Sequence, residues 1–286
     1  MVKAITGAAA AAALALLGQA APAPELAAAR VAALPVVDGK ADDPAWAQVA
    51  PLAVRIDVPS ELENPRKKID LKAVHDGASI CFLLVWEDKQ PDADHKPWVW
   101  NQDKFEFVVD EEKIEDAAAL AFALEGKFVP DMLSGVEAKW DVWEWGALRS
   151  STGFARDKVH LFSKTRPQGV KAKLRTDRHD HTIYFALTDD EGTPNFKQHE
   201  SPDEKKADRV PQFEAQKPSG SAADVQARGA WAGGRWTLEL KRPMNTGHKD
   251  DTPFAPGKTV EFAVAVFDGA EKSDHLVSGK LVLRTQ

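Results

Sequence analysis

Residues 231–267 constrain the fold more than any other stretch of this chain. Trp236, Leu238 and Leu240 fall on one side of an extended segment, with Thr237, Glu239 and Lys241 on the other. Val260, Phe262, Val264 and Val266 repeat the same two-residue period, which is the spacing of a half-buried strand. The pattern predicts two strands forming a hairpin near the chain's end. Their connection holds Asn245, Gly247, Asp250, Asp251, Pro253, Pro256 and Gly257. It is too long and too rich in turn formers for a tight turn, and loops of that length commonly carry function.

The rest of the chain has the same character. Ile69, Leu71 and Ala73 alternate with polar residues, and His75-Asp76-Gly77 then turns the chain into a run ending at Trp86 that is apolar on both faces. That run reads as a central strand covered from both sides. Residues 103–110 alternate again, residues 117–128 read as a strand from about Leu120, and further short strands fall at 159–162, 170–174, 182–187 and 281–283. Residues 191–224, rich in Pro, Lys, Glu, Asp, Ser and Gly, read as a loop-like excursion. Short alternating strands with almost no helical period imply one all-β domain, an antiparallel β-sandwich or barrel.

The N-terminus carries Lys3, an Ala- and Leu-rich run to Leu17, and then small residues. The order of charge, short apolar run and small residues is that of a cleavable secretory signal. The expected organisation is a signal at 1–21, a leader at 22–35 and a domain over 36–286, giving a periplasmic product. No later segment has the length and apolarity of a membrane span.

Cys81 is the only cysteine, which excludes an intrachain disulfide, a cysteine-held iron–sulfur cluster, a zinc-thiolate site and covalent c-type haem attachment. A net charge of −7 argues against a nucleic-acid partner. Nine tryptophans against one tyrosine fit a protein that binds flat ligands, sugars or haem among them, and also fit an aromatic core.

Residues 128–149 form the most unusual local cluster. Met132 stands in a Pro/Gly/Ser loop shortly before Trp140, Trp143 and Trp145. A thioether beside a tryptophan wall suits a haem edge, because iron accepts sulfur and the porphyrin needs a dry slot; the same residues also suit plain core packing. Lys249 ligates iron only as the neutral amine, which requires burial to depress its pKa, and His248 is the commoner ligand type. Met244 reads as core. The acidic segment 88–94 lacks the alternating ligand pattern of a calcium loop and reads as solvated. No phosphate-binding loop, nucleophile elbow or HExxH motif is present.

Taken in order, Val37-Asp38-Gly39 through Trp46, Asp103-Lys104-Phe105, Trp140 through Trp145 with Arg149, Gly153-Phe154, Gly234-Arg235-Trp236-Thr237 through Thr246, Asp250-Asp251, Phe254 and Phe262 through Asp268 make the chain resemble a haem-binding family. That family is typified by the gamma subunit of ethylbenzene dehydrogenase. The resemblance implies a β-sandwich similar to family 9 carbohydrate-binding modules, with long loops forming a haem pocket. It implies one noncovalent haem b per chain, held between a methionine and a lysine. By position these are Met132 and Lys249, with Lys241 and His248 as alternatives to the lysine, and with Trp140, Trp143, Trp145 and Arg149 around the cofactor. It further implies an electron-transfer subunit, not itself catalytic, serving a molybdopterin catalytic subunit and an iron–sulfur subunit or another redox protein. Many relatives carry histidine where this chain has Glu144. The rival reading is a carbohydrate-binding module of the same fold; a third is a haem-free structural relative.

Overall fold

The computed structural model describes residues 22–56, 67–176, 180–269 and 276–286; the predicted signal lies outside them. The strands in chain order are β1 (Glu25–Arg30), β2 (Leu52–Ile56), β3 (Lys67–His75), β4 (Ser79–Glu87), β5 (Trp98–Asn101), β6 (Glu106–Val109), β7 (Ala117–Gly126) and β8 (Ala138–Gly146). They continue as β9 (Arg156–Ser163), β10 (Lys173–Thr176), β11 (Thr182–Asp189), β12 (Gly192–Thr193), β13 (Phe196–Gln198), β14 (Arg209–Val210), β15 (Phe213–Ala215) and β16 (Ser219–Gly220). The last are β17 (Gln226–Ala232), β18 (Arg235–Pro243), β19 (Thr259–Phe267), β20 (Leu276–Val277) and β21 (Leu281–Thr285). The helical elements include one turn, α1 (Pro44–Ala47), and a 3-10 turn at Ser221–Ala223.

One long sheet runs β10-β11-β9-β8-β7-β19-β21-β1-β3-β4-β18-β17, with β2 on β3 and β20 on β19. It folds back on itself, so that β3, β4, β17 and β18 pack face to face on β7, β8 and β19. Ring contacts across the gap show the closure: Phe82 of β4 meets Trp143 of β8 at 5.6 Å, and Trp145 of β8 meets Trp236 of β18 at 4.9 Å. The shared inner core also takes Phe122, Phe254, Phe262 and Met244. Full burial of a side chain of this size contributes about 1.5–3 kcal/mol, so this layer holds the sandwich closed. Outside it, Val31, Trp46, Val74, Cys81 and Leu83 cover the back of one half. Phe128, Trp140, Val142, Phe162 and Ile183 cover the back of the other.

The sandwich expected from strand alternation is present, with four differences. β18 and β19 do not pair. β18 lies between β4 and β17, whereas β19 lies between β7 and β21, so residues 244–258 form an arch from one half to the other. Two strands with the same inward period serve equally well as hairpin partners or as facing members of a sandwich. The tight hairpin is β17–β18, closed at Gly233-Gly234, both at positive φ, as a two-residue turn of inward twist requires.

The segment expected as a leader contains β1, whose Leu26 and Ala28 are buried. It runs parallel to β21 and to β3, which makes the sheet mixed at that point. Alanines give a weak strand signal, and β1 is fixed by its neighbours rather than by its own composition. Within 191–224, five two- or three-residue strands replace the expected uniform loop. The strand predicted from about Leu120 begins at Ala117.

Candidate functional site

Strand alternation divides the predicted site residues between two faces of β8. Trp143 and Trp145 point into the inner core, and Trp140 points outward with Val142 and Glu144. The three tryptophans are all buried but do not form a single wall. Met132 packs against the outward cluster of Phe128, Trp140 and Phe162. That cluster also carries an imidazole that the sequence did not single out, His160, whose ring lies 6.2 Å from Trp140.

Arg149 sits in a buried ion network. It donates to Glu115, and at 2.9 Å to Glu144, which Lys158 also binds. Burial raises the Glu144 carboxyl, but Lys158, Arg149 and Arg156 outweigh burial and hold its pKa well below the ordinary value. Glu144, at the position where many relatives are expected to carry histidine, is therefore an ionised hub. Lys241 lies on the back of the other half: its partner across the strands is Cys81, whose thiol burial pushes up to about 12.

His248 and Lys249 lie together at a pocket of about 840 Å³. β8, β9 and β11 extend past the edge of the opposing half of the sandwich, and their inward residues Lys139, Val159, Leu161 and Thr188 form one wall. Residues 247–250 of the arch, Glu191-Gly192 and Ser219–Ser221 form the other, with Leu124 and Val170 at the sides. The volume falls in the roughly 300–1,000 Å³ range of ligand and cofactor sites. His248 and Lys249 stand exposed on the rim, so Lys249 lacks the burial expected of an amine ligand, while His248 Nδ1 lies 2.6 Å from Asp224 Oδ2, an outer carboxylate of the kind that orients a metal-binding imidazole. That hydrogen bond raises the His248 pKa. Leu124, Val159 and Leu161 give the apolar part of the wall, and Lys139, paired with Glu125 at 2.8 Å, stands beside Glu191 and Asp250 in the polar part. Met132 belongs to the outward cluster, though its loop leaves β7 two residues after Leu124 of the wall.

Beneath the arch is a group of carboxylates that sequence reading did not gather into a site. Arg242 donates to Asp141 and Asp251, each at 2.7 Å, and its guanidinium lies 4.5 Å from the Trp143 ring centre. Asp157 and Asp190 stand close by. Burial and the neighbouring Asp141 push Asp157 well above the ordinary range, and burial with Asp250 pushes Asp190 up to about 9. These residues lie far apart in sequence, and each alone resembles a solvated charge.

The remaining acidic group, Asp88, Asp116 and Asp268, lies near a second cleft of about 750 Å³. It is tied down by Trp236 Nε1 on Asp116 at 3.0 Å and by Lys67 on Asp268. Of the nine tryptophans, six are buried and Trp98, Trp100 and Trp231 are half-buried, so the sequence's richest aromatic signal is mostly core.

The sequence profile of the family described as ethylbenzene dehydrogenase matches residues 43–277. Among curated proteins none matches the chain. Among solved structures, it is similar to a putative carbohydrate-binding protein from Bacteroides uniformis, at 10% identity and a TM-score of 0.47, covering 92% of this chain and 100% of that one. It is also similar to a family 9 carbohydrate-binding module from Caldicellulosiruptor kristjanssonii in complex with glucose, at 10% identity and a TM-score of 0.40, covering 92% and 96%.

Proposed function

The chain belongs to the ethylbenzene dehydrogenase family over residues 43–277, and on that premise we propose that it is an exported, haem b-binding electron-transfer subunit whose cofactor occupies the pocket beneath the arch. The observation that carries this reading is the pocket itself, of about 840 Å³, with His248 and Lys249 on one rim and apolar residues of β9 on the facing wall.

Bound there, haem b would supply one-electron redox chemistry, at a potential set by the residues that hold it and by burial. The chain's own part is to hold and shield. Leu124, Val159 and Leu161 exclude water from one face. Asp224 orients the His248 ring. Lys249 is the nitrogen assigned by the family resemblance, and His248 is its neighbour on the same turn. Lys241, on the back of the opposite half, has no path to this pocket through the sheet. Met132 is the sulfur assigned by the resemblance, and ligation from it draws the 127–137 loop off the outward cluster. The partner is an oxidoreductase of the molybdopterin class with its iron–sulfur subunit, in keeping with the family.

The test is reconstitution of the purified chain with haem, recording absorption for wild type and for Lys249→Ala, His248→Ala and Met132→Ala. A low-spin spectrum that becomes high-spin in Lys249→Ala or His248→Ala supports the pocket and names the nitrogen. Loss in Met132→Ala adds the sulfur. Folded wild-type protein that takes up no haem rejects the proposal.

A further inference from the structure

The carboxylates under the arch present buried oxygens that no described protein group satisfies. Asp141, Asp157 and Asp251 each offer an oxygen within 4.8 Å of the others, and Asp190, Asp250 and Asp251 do the same beside them. Asp141 is 0% exposed, Asp157 1%, Asp251 4% and Asp190 5%. Four such carboxylates face a single guanidinium, that of Arg242. Hydrogen bonding does not settle them. Arg242 and the Thr252 amide satisfy Asp141 Oδ2, but Asp141 Oδ1 and both oxygens of Asp157 and of Asp190 accept no hydrogen bond from any described protein group. A buried carboxylate oxygen without a donor is costly, and five such oxygens lie in these two adjoining groups.

We propose that Asp141, Asp157 and Asp251, flanked by Asp190 and Asp250, form a calcium site that fastens the 245–252 arch to β8 and β9. The donor set is oxygen alone and includes several carboxylates, which selects a hard cation. Calcium takes six to eight oxygens in flexible geometry and accepts carboxylates in mono- or bidentate fashion, whereas magnesium demands a tighter octahedron and keeps its waters. A divalent cation supplies the partner that the unbonded oxygens of Asp141 and Asp157 lack. The ligands come from β8, β9, the residue after β11 and the arch, so binding draws together the segments that wall the pocket. The site needs no haem, and it stands or falls separately from the electron-transfer reading.

The test uses the full mature chain, without haem, passed through EGTA and desalted. Melting is followed in EGTA, in calcium and in magnesium, and calcium binding is measured by calorimetry. At a calcium concentration about a hundredfold above Kd, the melting temperature is expected to rise by roughly 5–10 °C, with a much smaller rise in magnesium and about one calcium bound per chain. Asp157→Asn is expected to abolish the calcium shift while melting in EGTA no lower than wild type, because Asn keeps the side chain's size and its amide can donate to the neighbouring carboxylates. The exposed Glu204→Gln is expected to keep the shift. Should Asp157→Asn fail to fold, wild-type calorimetry decides alone. Equal wild-type melting in EGTA and calcium with no heat of binding, or a full calcium shift retained in Asp157→Asn, overturns the site.

Discussion

Arg242 of β18 donates to Asp141 of β8 at 2.7 Å, an ion pair that crosses the sandwich through its buried centre. Both side chains are almost wholly buried, and the same guanidinium also binds Asp251 and the Thr252 carbonyl. Removing one partner of such a pair leaves the other charge stranded. Arg242→Met is therefore expected to cost about 3–5 kcal/mol, measured by urea unfolding. A loss below about 1 kcal/mol, the range of exposed pairs, contradicts this account of the centre.

The Val37-Asp38-Gly39 through Trp46 motif has a physical basis in Glu239. Its Oε2 accepts the amides of Asp38 and Gly39 at 3.0 and 2.9 Å, and its Oε1 accepts the Trp46 indole at 2.8 Å. One carboxylate thus docks the N-terminal segment on the back of β18. Glu239→Gln turns an amide N–H toward donors on one side and is expected to cost about 1–3 kcal/mol. The loss should appear in urea unfolding together with faster proteolysis within 31–49. Unchanged stability would show that the segment docks by its apolar contacts alone.

Burial, with Arg149 second, lowers the His95 pKa to about 4 from an ordinary 6.5. The folded state then binds fewer protons than the unfolded state between those values. The neutral imidazole's contribution is fully present above about pH 6.5 and is lost as pH falls toward 4. His95→Asn, which keeps an acceptor near the Glu115 amide, is expected to lose less stability than wild type across this window. Parallel losses in the two proteins would remove His95 from the acid response.

A Cβ on Gly229 would lie 2.2 Å from the Trp145 ring, so the indole occupies the space that any side chain would need. Overpacking of this kind costs typically 1–3 kcal/mol, and Gly229→Ala is expected to reach at least that range in thermal or urea melts. A neutral substitution would place the ring elsewhere.

Strand alternation made most of the sandwich legible, because inward residues such as Trp236, Leu238 and Phe262 repeat at the pleat's own period. Pairing was not legible. β18 and β19 present the same pattern whether adjacent or opposed, and only Phe82 meeting Trp143 across the gap decides between them. The site was half legible. Lys249 and His248 could be singled out because they sit in an overlong polar connection. Trp140, Trp143 and Trp145 look like one wall in sequence, yet the two-residue period sends Trp140 to the opposite face, and Met132 packs with it. Asp157 and Asp190 gave no local signal, and Asp141 and Asp251 stood only within segments that carry the resemblance; their joint meaning arises where four segments converge.

The claim that a cofactor lies under the arch is tested most directly by filling the pocket. Leu161 lines its wall and is half-buried, so Leu161→Trp occupies volume without entering the inner core. In parallel haem titrations followed at the Soret band, wild type is predicted to saturate at about one haem per chain. Leu161→Trp, with an unchanged far-UV spectrum, is predicted to bind at least tenfold more weakly, roughly the 1.4 kcal/mol that one decade represents. A variant that binds haem as wild type does places the cofactor elsewhere and contradicts the account.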